Sequence, residues 1–166
     1  MDWGRSLLVV VAVLAFIFIA TSTGGSVWVK RTQKGEKRTY GLWRECRGRD
    51  SLSCKWLEDR ESWQSVAQVL STFACISSGF AILTALCGFR WSKRFTGVET
   101  ATLLGGACAW MLIVLGMFGQ INNWTSDAGG YTWGWSMIVG WFAAAISGVG
   151  VVMGICARNF DDNVCW

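Results

Sequence analysis

The chain has 166 residues, 52% of them hydrophobic and 16% charged, with 12 tryptophans, no proline, no histidine and a formal net charge of +4. Soluble domains carry about 25% charged residues, and the charges here are also bunched, which excludes a water-soluble globule. With no histidine, and no Lys, Asp or Glu inside the apolar runs, no nucleophile–base pair can be built, so the chain is not expected to be an enzyme or to hold a metal or cofactor.

Residues 6–29, 62–89, 100–126 and 128–157 contain no charge at all. Each stretch exceeds the roughly 20 residues with which a helix crosses a hydrocarbon core about 30 Å thick. Lipid cannot satisfy the open edge of a sheet, so the spanning form is helical. The sequence predicts an all-α membrane protein, one four-helix domain over residues 1–166.

The first span is placed at residues 7–29. Its run from 7 to 20, behind Arg5 and followed by small residues, also has the pattern of a secretory leader. The apolar continuation through Val27, Trp28 and Val29 favours a retained helix. Loop 30–65 follows, with ten basic and six acidic residues between 30 and 61. Within it, Gly41-Leu42-Trp43 precedes Cys46 and Cys54, and both 27–29 and 39–43 are rich in strand-forming residues. The second span covers 66–89, with Ser77, Ala81 and Ala85 four residues apart. A short basic turn, 90–96, carries Arg90, Lys93 and Arg94.

The third span, 97–121, holds Glu99 at its charged end, read as an interfacial ion-pair partner of Lys93 and Arg94. Loop 122–133 lacks Lys and Arg and contains the sequon Asn123-Trp124-Thr125, a candidate glycosylation site. The fourth span, 134–157, repeats Gly140, Ala144 and Gly148, and residues 158–166 form the tail. Small residues in such registers let backbones approach within a membrane, and packing inside the bundle is their expected use. Tryptophans mark the span limits: Trp3, Trp91 and Trp166 at one set of ends, Trp28, Trp63, Trp124, Trp133 and Trp135 at the other. That is the pattern of an aromatic belt.

Two signals bear on orientation. The basic excess in loop 30–65, taken alone, would put that loop in the cytoplasm. Against it stand the interspersed acids, the sequon on the same side, and the tight cluster of Arg90, Lys93 and Arg94 directly at a span end. Both termini and 90–96 are therefore expected inside, with 30–65 and 122–133 outside. Of seven cysteines, only Cys46 and Cys54 then lie in an oxidising compartment. Zinc would need two more ligands and a thioredoxin-like pair a tighter spacing, so a disulfide is the expected reading. Closing so short a loop contributes about 2–3 kcal/mol. Cys75 and Cys108, within spans, read as small packing residues.

Trp28, then Gly41-Leu42-Trp43, then Cys46 and Cys54 resemble the W…GLW…C…C signature of the claudin, peripheral myelin protein and epithelial membrane protein superfamily. The likeness runs along the whole chain, and Gly105-Gly106 is similar to the claudin third helix. The stretch from Tyr131 to Ser136, with Gly140-Trp141, looks more like the lens-fibre intrinsic membrane protein branch. A cysteine spacing tighter than that of claudins, Gln64 and Gln68 where claudins commonly carry arginine, and a tail unlike their PDZ-binding ends are departures that favour the lens and epithelial membrane protein side over a tight-junction claudin.

The resemblance implies a left-handed bundle of four transmembrane helices carrying a small extracellular antiparallel β-sheet. Trp28 and Leu42-Trp43 would anchor the sheet on the helix ends, and Cys46–Cys54 would tie two strands. Cys87 and Cys156 would be candidates for palmitoylation. The functional expectation is a structural or adhesive protein at cell–cell contacts of the plasma membrane. Its partners would be membrane lipid and itself or related tetraspan proteins, in cis or in trans, with no nucleic acid. Arg47, Arg49 and Lys55 are candidate contact or selectivity residues. The alternatives are a paracellular pore favouring anions, in which Lys55 tunes selectivity, and an auxiliary subunit of a channel or receptor.

Overall fold

The computed structural model describes residues 3–33, 36–48, 53–56, 62–87, 93–124 and 131–159. Four helices run through it: α1 (Trp3–Gly24), α2 (Ser62–Cys87), α3 (Lys93–Trp124) and α4 (Trp135–Asn159). Each contains a stretch long and apolar enough to cross a membrane, namely Ser6–Gly24, Ser62–Cys87, Gly97–Gln120 and Trp135–Cys156. The helices close a ring in which α1 packs on α2 and α4, and α3 packs on the same two.

The buried positions explain the ring. Along the seam α1 buries Leu8, Ala12, Ala15, Ile19 and Ser22, and α2 buries Ala67, Ser71, Ala74, Ser78, Ala81 and Ala85; Thr23 and Gln68 are also buried, off that register. The steps along the seam alternate between four and three residues. That seven-residue repeat keeps one seam facing its neighbours and sets a left-handed supercoil. Every one of the α2 seam positions is Ala or Ser, while α3 presents Leu104, Met111, Val114, Leu115 and Phe118 inward. The bulky apolar residues of α2, among them Val69, Phe73, Ile76, Phe80 and Leu83, point outward instead. In lipid a Leu gains little by turning inward, so small residues take the seam, where close backbone approach favours dispersion contacts.

Three sequence expectations shift here. The repeat on α2 runs through Ser78, not Ser77, which is only half-buried. On α4, Gly140 and Ala144 are buried, but a side chain added at Gly148 would meet open space. The tight contacts fall at Gly150, where a Cβ would lie 2.5 Å from Leu104 Cδ1, and at Gly154, 2.8 Å from Ala101 Cβ. A four-residue period drifts off a seam whose true period is 3.5, so the last member of the predicted set faces away. The third change concerns the first span, expected to reach residue 29. α1 ends at Gly24, and the chain bends at Ser26 and Trp28 before entering a sheet at Val29.

Candidate functional site: a sheet footed on the helix ends

Five strands form one antiparallel sheet in the order β4-β3-β2-β1-β5. They are β1 (Val29–Gln33), β2 (Glu36–Tyr40), β3 (Arg44–Gly48), β4 (Ser53–Trp56) and β5 (Tyr131–Trp133). The first four come from the connection between α1 and α2, and β5 from that between α3 and α4. β1 joins the two connections, with Val29 opposite both Tyr40 and Trp133.

The footing is made where α1 ends. A helix leaves its last carbonyls without amide partners, and here two indoles supply the donors. Trp28 Nε1 donates to Ser22 O at 3.1 Å, and Trp43 Nε1 to Thr23 O at 2.8 Å. The Trp28 ring is fully buried and lies 4.7 Å from that of Phe118 on α3, which in turn meets Trp63 of α2 edge-on at 5.4 Å. Trp28 is thus a buried capping residue, not the interfacial belt residue its position at a span end suggested. Trp133 and Trp135, by contrast, are half-exposed.

The rest of the Gly-Leu-Trp triplet is equally constrained. Leu42 is buried, and its carbonyl accepts from Nε2 of Gln68, itself buried on α2, at 2.7 Å. Gly41 donates its amide to Arg44 O at 2.9 Å and sits against the backbone of Ser26, so a Cβ there would come within 2.6 Å of Ser26 O. On the other side of the same segment, Gly134 donates to Trp28 O at 2.7 Å, and a Cβ there would lie 2.5 Å from the Val27 carbonyl carbon. The two glycines clamp residues 26–28 between the loops. Ser22 Oγ, donating to Ser136 O at 2.8 Å, adds a tie between α1 and α4.

Away from the footing, Cys46 and Cys54 form a disulfide between directly opposed residues of β3 and β4, with Cα atoms 4.0 Å apart. Arg44 stacks on Trp56, its guanidinium 4.3 Å from the ring centroid. Arg47 is exposed and pairs with Glu45 at 2.6 Å; Arg38 pairs with Glu36 at 3.3 Å. Hydrogen bonds to Glu36 and then Tyr40 raise the Arg38 pKa above its ordinary value. Lys55 is exposed on β4, opposite Glu45.

Arg49, Arg90 and Thr125 of the sequon lie outside the described residues, whereas Asn123 falls in the last turn of α3. Cys87 is the exposed final residue of α2, and Cys156 is half-buried near the end of α4, at the pole of the bundle away from the sheet. Cys75 and Cys108 pack within the bundle, Cys75 Sγ donating to Thr23 Oγ1 at 3.7 Å and Cys108 Sγ to Ala144 O at 3.3 Å.

The sequence reading missed three contributors to the footing: Ser22, Gly134 and Ser136. Ser22 lies in no motif, and Gly134 and Ser136 figure only within the Tyr131–Ser136 likeness; the role of each is recognisable only once the segment after α1 is seen to run between two loops. Gln68 had been noted for standing where claudins carry arginine. Its amide does work an arginine could also do, donating to a backbone carbonyl.

No curated protein matches the chain closely enough to serve as a relative. The model of the PMP-22/EMP/MP20/Claudin family, however, matches residues 6–154, a stretch that takes in the first three spans, all but the last two residues of the fourth, the buried Trp28, the Gly41-Leu42-Trp43 foot and the Cys46–Cys54 staple. The chain belongs to the PMP-22/EMP/MP20/claudin family.

Proposed function

We propose that this tetraspan membrane protein acts as a structural or adhesive component of cell–cell contacts at the plasma membrane. Both termini would be cytoplasmic and the sheet extracellular. The observation that carries the reading is the construction of the sheet, which is pinned to all four helices at one pole and stapled across its outer strands by Cys46–Cys54. Such a rigid, polar platform suits repeated contact with a second surface better than it suits chemistry. Its partners would be copies of itself or related tetraspan proteins, beside it in the same membrane or across the contact. Confluent cells expressing tagged protein test this: enrichment at cell borders supports it, and uniform distribution or retention on internal membranes overturns it.

A second reading is favoured by one residue. Lys55 is exposed on β4, where a charge facing a paracellular space would favour anions. Lys55→Glu separates the two readings through dilution potentials across cell layers. A shift from anion toward cation permeability with contacts intact supports a pore; unchanged selectivity supports the adhesive platform.

A further inference from the structure

Residues directly opposite one another in an antiparallel sheet share a face, as do residues two apart along a strand. This parity sorts the charges of the sheet unevenly. One face carries Arg31, Arg38, Arg47 and Lys55 together with both described carboxylates, Glu36 and Glu45, and both ion pairs lie on it. The other face carries Lys30, Lys37 and Arg44 and, among the described residues, no acid. All three cations are exposed. Lys30 stands opposite Thr39, with Lys37 two residues back on β2, so the two lysines are diagonal neighbours.

The same face ends in an aromatic plate. Trp56 lies opposite Arg44, is 62% exposed, and holds the guanidinium over one side of its ring. Between plate and lysines lie Thr39 and the disulfide, with Thr39 and Cys46 buried and, among the described residues, no apolar patch. Interfaces between proteins favour Trp and Arg but are depleted in lysine at their core, so the two lysines suit a polyanion better than a protein partner. An anionic headgroup would use the cations but leave the exposed indole idle. A sugar polymer uses both, its rings stacking on Trp56 and its sulfate esters, ionised at every physiological pH, meeting the cations. From Trp56 on β4 to Lys30 on β1 is three strand spacings, about 14 Å, the span of an oligosaccharide and not of a single sugar.

We infer that the face of the sheet with Lys30, Lys37, Arg44 and Trp56 binds a sulfated polysaccharide. The inference rests on the reading that this pole is extracellular. Binding is tested on the purified full chain in phosphatidylcholine nanodiscs applied to immobilised heparin. The unaltered protein should be retained at physiological salt and released as salt rises. Lys30→Glu with Lys37→Glu should weaken binding about tenfold or more, since lost cation contacts multiply against a polyanion, and Trp56→Ala should weaken it without altering net charge. Arg47→Glu with Lys55→Glu makes the same charge change on the opposite face and should retain binding. Formation of the Cys46–Cys54 disulfide in every variant, read by non-reducing mass analysis, confirms that the sheet has folded.

Equal loss for both double variants would reduce the effect to net charge and overturn the assignment. So would an unaffected Trp56→Ala variant, or phosphatidylserine vesicles or an acidic protein competing as well as heparin at equal charge. Retention with the predicted variant pattern, in cells where the protein does not gather at borders, would sink the adhesive reading alone.

Discussion

The indole N–H groups of Trp28 and Trp43 end on Ser22 O and Thr23 O, carbonyls of the last turn of α1. Where the helix meets the hydrocarbon boundary, an unmet buried carbonyl costs about 1–3 kcal/mol. Phenylalanine keeps most of the ring but donates nothing. Trp43→Phe should therefore lower stability by about 1–2 kcal/mol, and Trp43→Ala, which also empties the ring's site, by about 3 kcal/mol. Thermal unfolding in detergent micelles reads the difference; equal losses would show that the hydrogen bond carries the whole effect and the ring none, and an unchanged Trp43→Phe variant would show the reverse. Poor surface delivery of Trp43→Ala is the cellular counterpart. The importance of both tryptophans was legible in the sequence through their motif, but the buried role of Trp28 was not. An indole at a span end looks the same whether its N–H meets water or a helix carbonyl, and only the early stop of α1 at Gly24 decides between them.

Among the elements, the helices were the most legible, because an uncharged run of this length admits one structure. Their faces were less so. Picking small residues four apart found Ala81, Ala85, Gly140 and Ala144 but mistook Ser77 and Gly148, since a seam with a 3.5-residue period cannot be followed by a fixed step. The contrast is testable on α4. Gly148→Ala meets nothing within 4 Å and should be neutral or add about 0.5–1 kcal/mol through helix propensity. Gly134→Ala, which drives a methyl into the Val27 carbonyl, should unseat β5 and abolish folding at physiological temperature. Comparable stabilities for the two variants, measured by denaturation, would contradict the clamp around residues 26–28. Strand-forming residues at 27–29 and 39–43 hinted at strands, but the sheet as a whole was legible only through family resemblance, since β1 and β2 are charge-rich and their alternation is weak. The disulfide belongs to the strands farthest from the clamp. Cys54→Ser should cost about 2–3 kcal/mol, and amide exchange should quicken in β3 and β4 while α1 keeps its protection.

At the scale of the molecule, two poles differ in kind. One bears the sheet, on which seven described cations face two carboxylates; the other ends in Cys87 and Cys156. The basic excess at the sheet pole argued for a cytoplasmic location, and the sequon for the reverse. A cysteine introduced at Lys37, on the exposed side of β2, should react with an impermeant maleimide added to intact cells, and one introduced at Arg90 should not. The opposite pattern would invert the protein in the membrane and remove the sheet from any contact between cells.

β5 closes the sheet against β1, yet about a hundred residues separate the two along the chain. A protein made from its N-terminus completes β1 to β4 and two further helices before Gly134 and β5 emerge. Until then the outer edge of β1 and the carbonyls of Val27 and Trp28 have no partner from that side. Biosynthesis therefore passes through a stage in which three helices are inserted and the sheet has an open border suited to pairing with the wrong chain. Arrival of β5 doubles as an inspection of the chain: only one that has been made through Gly134 can seal its first strand. Chains ending at residue 124 should accordingly be held back by the folding machinery of the endoplasmic reticulum, even with Cys46 and Cys54 already joined.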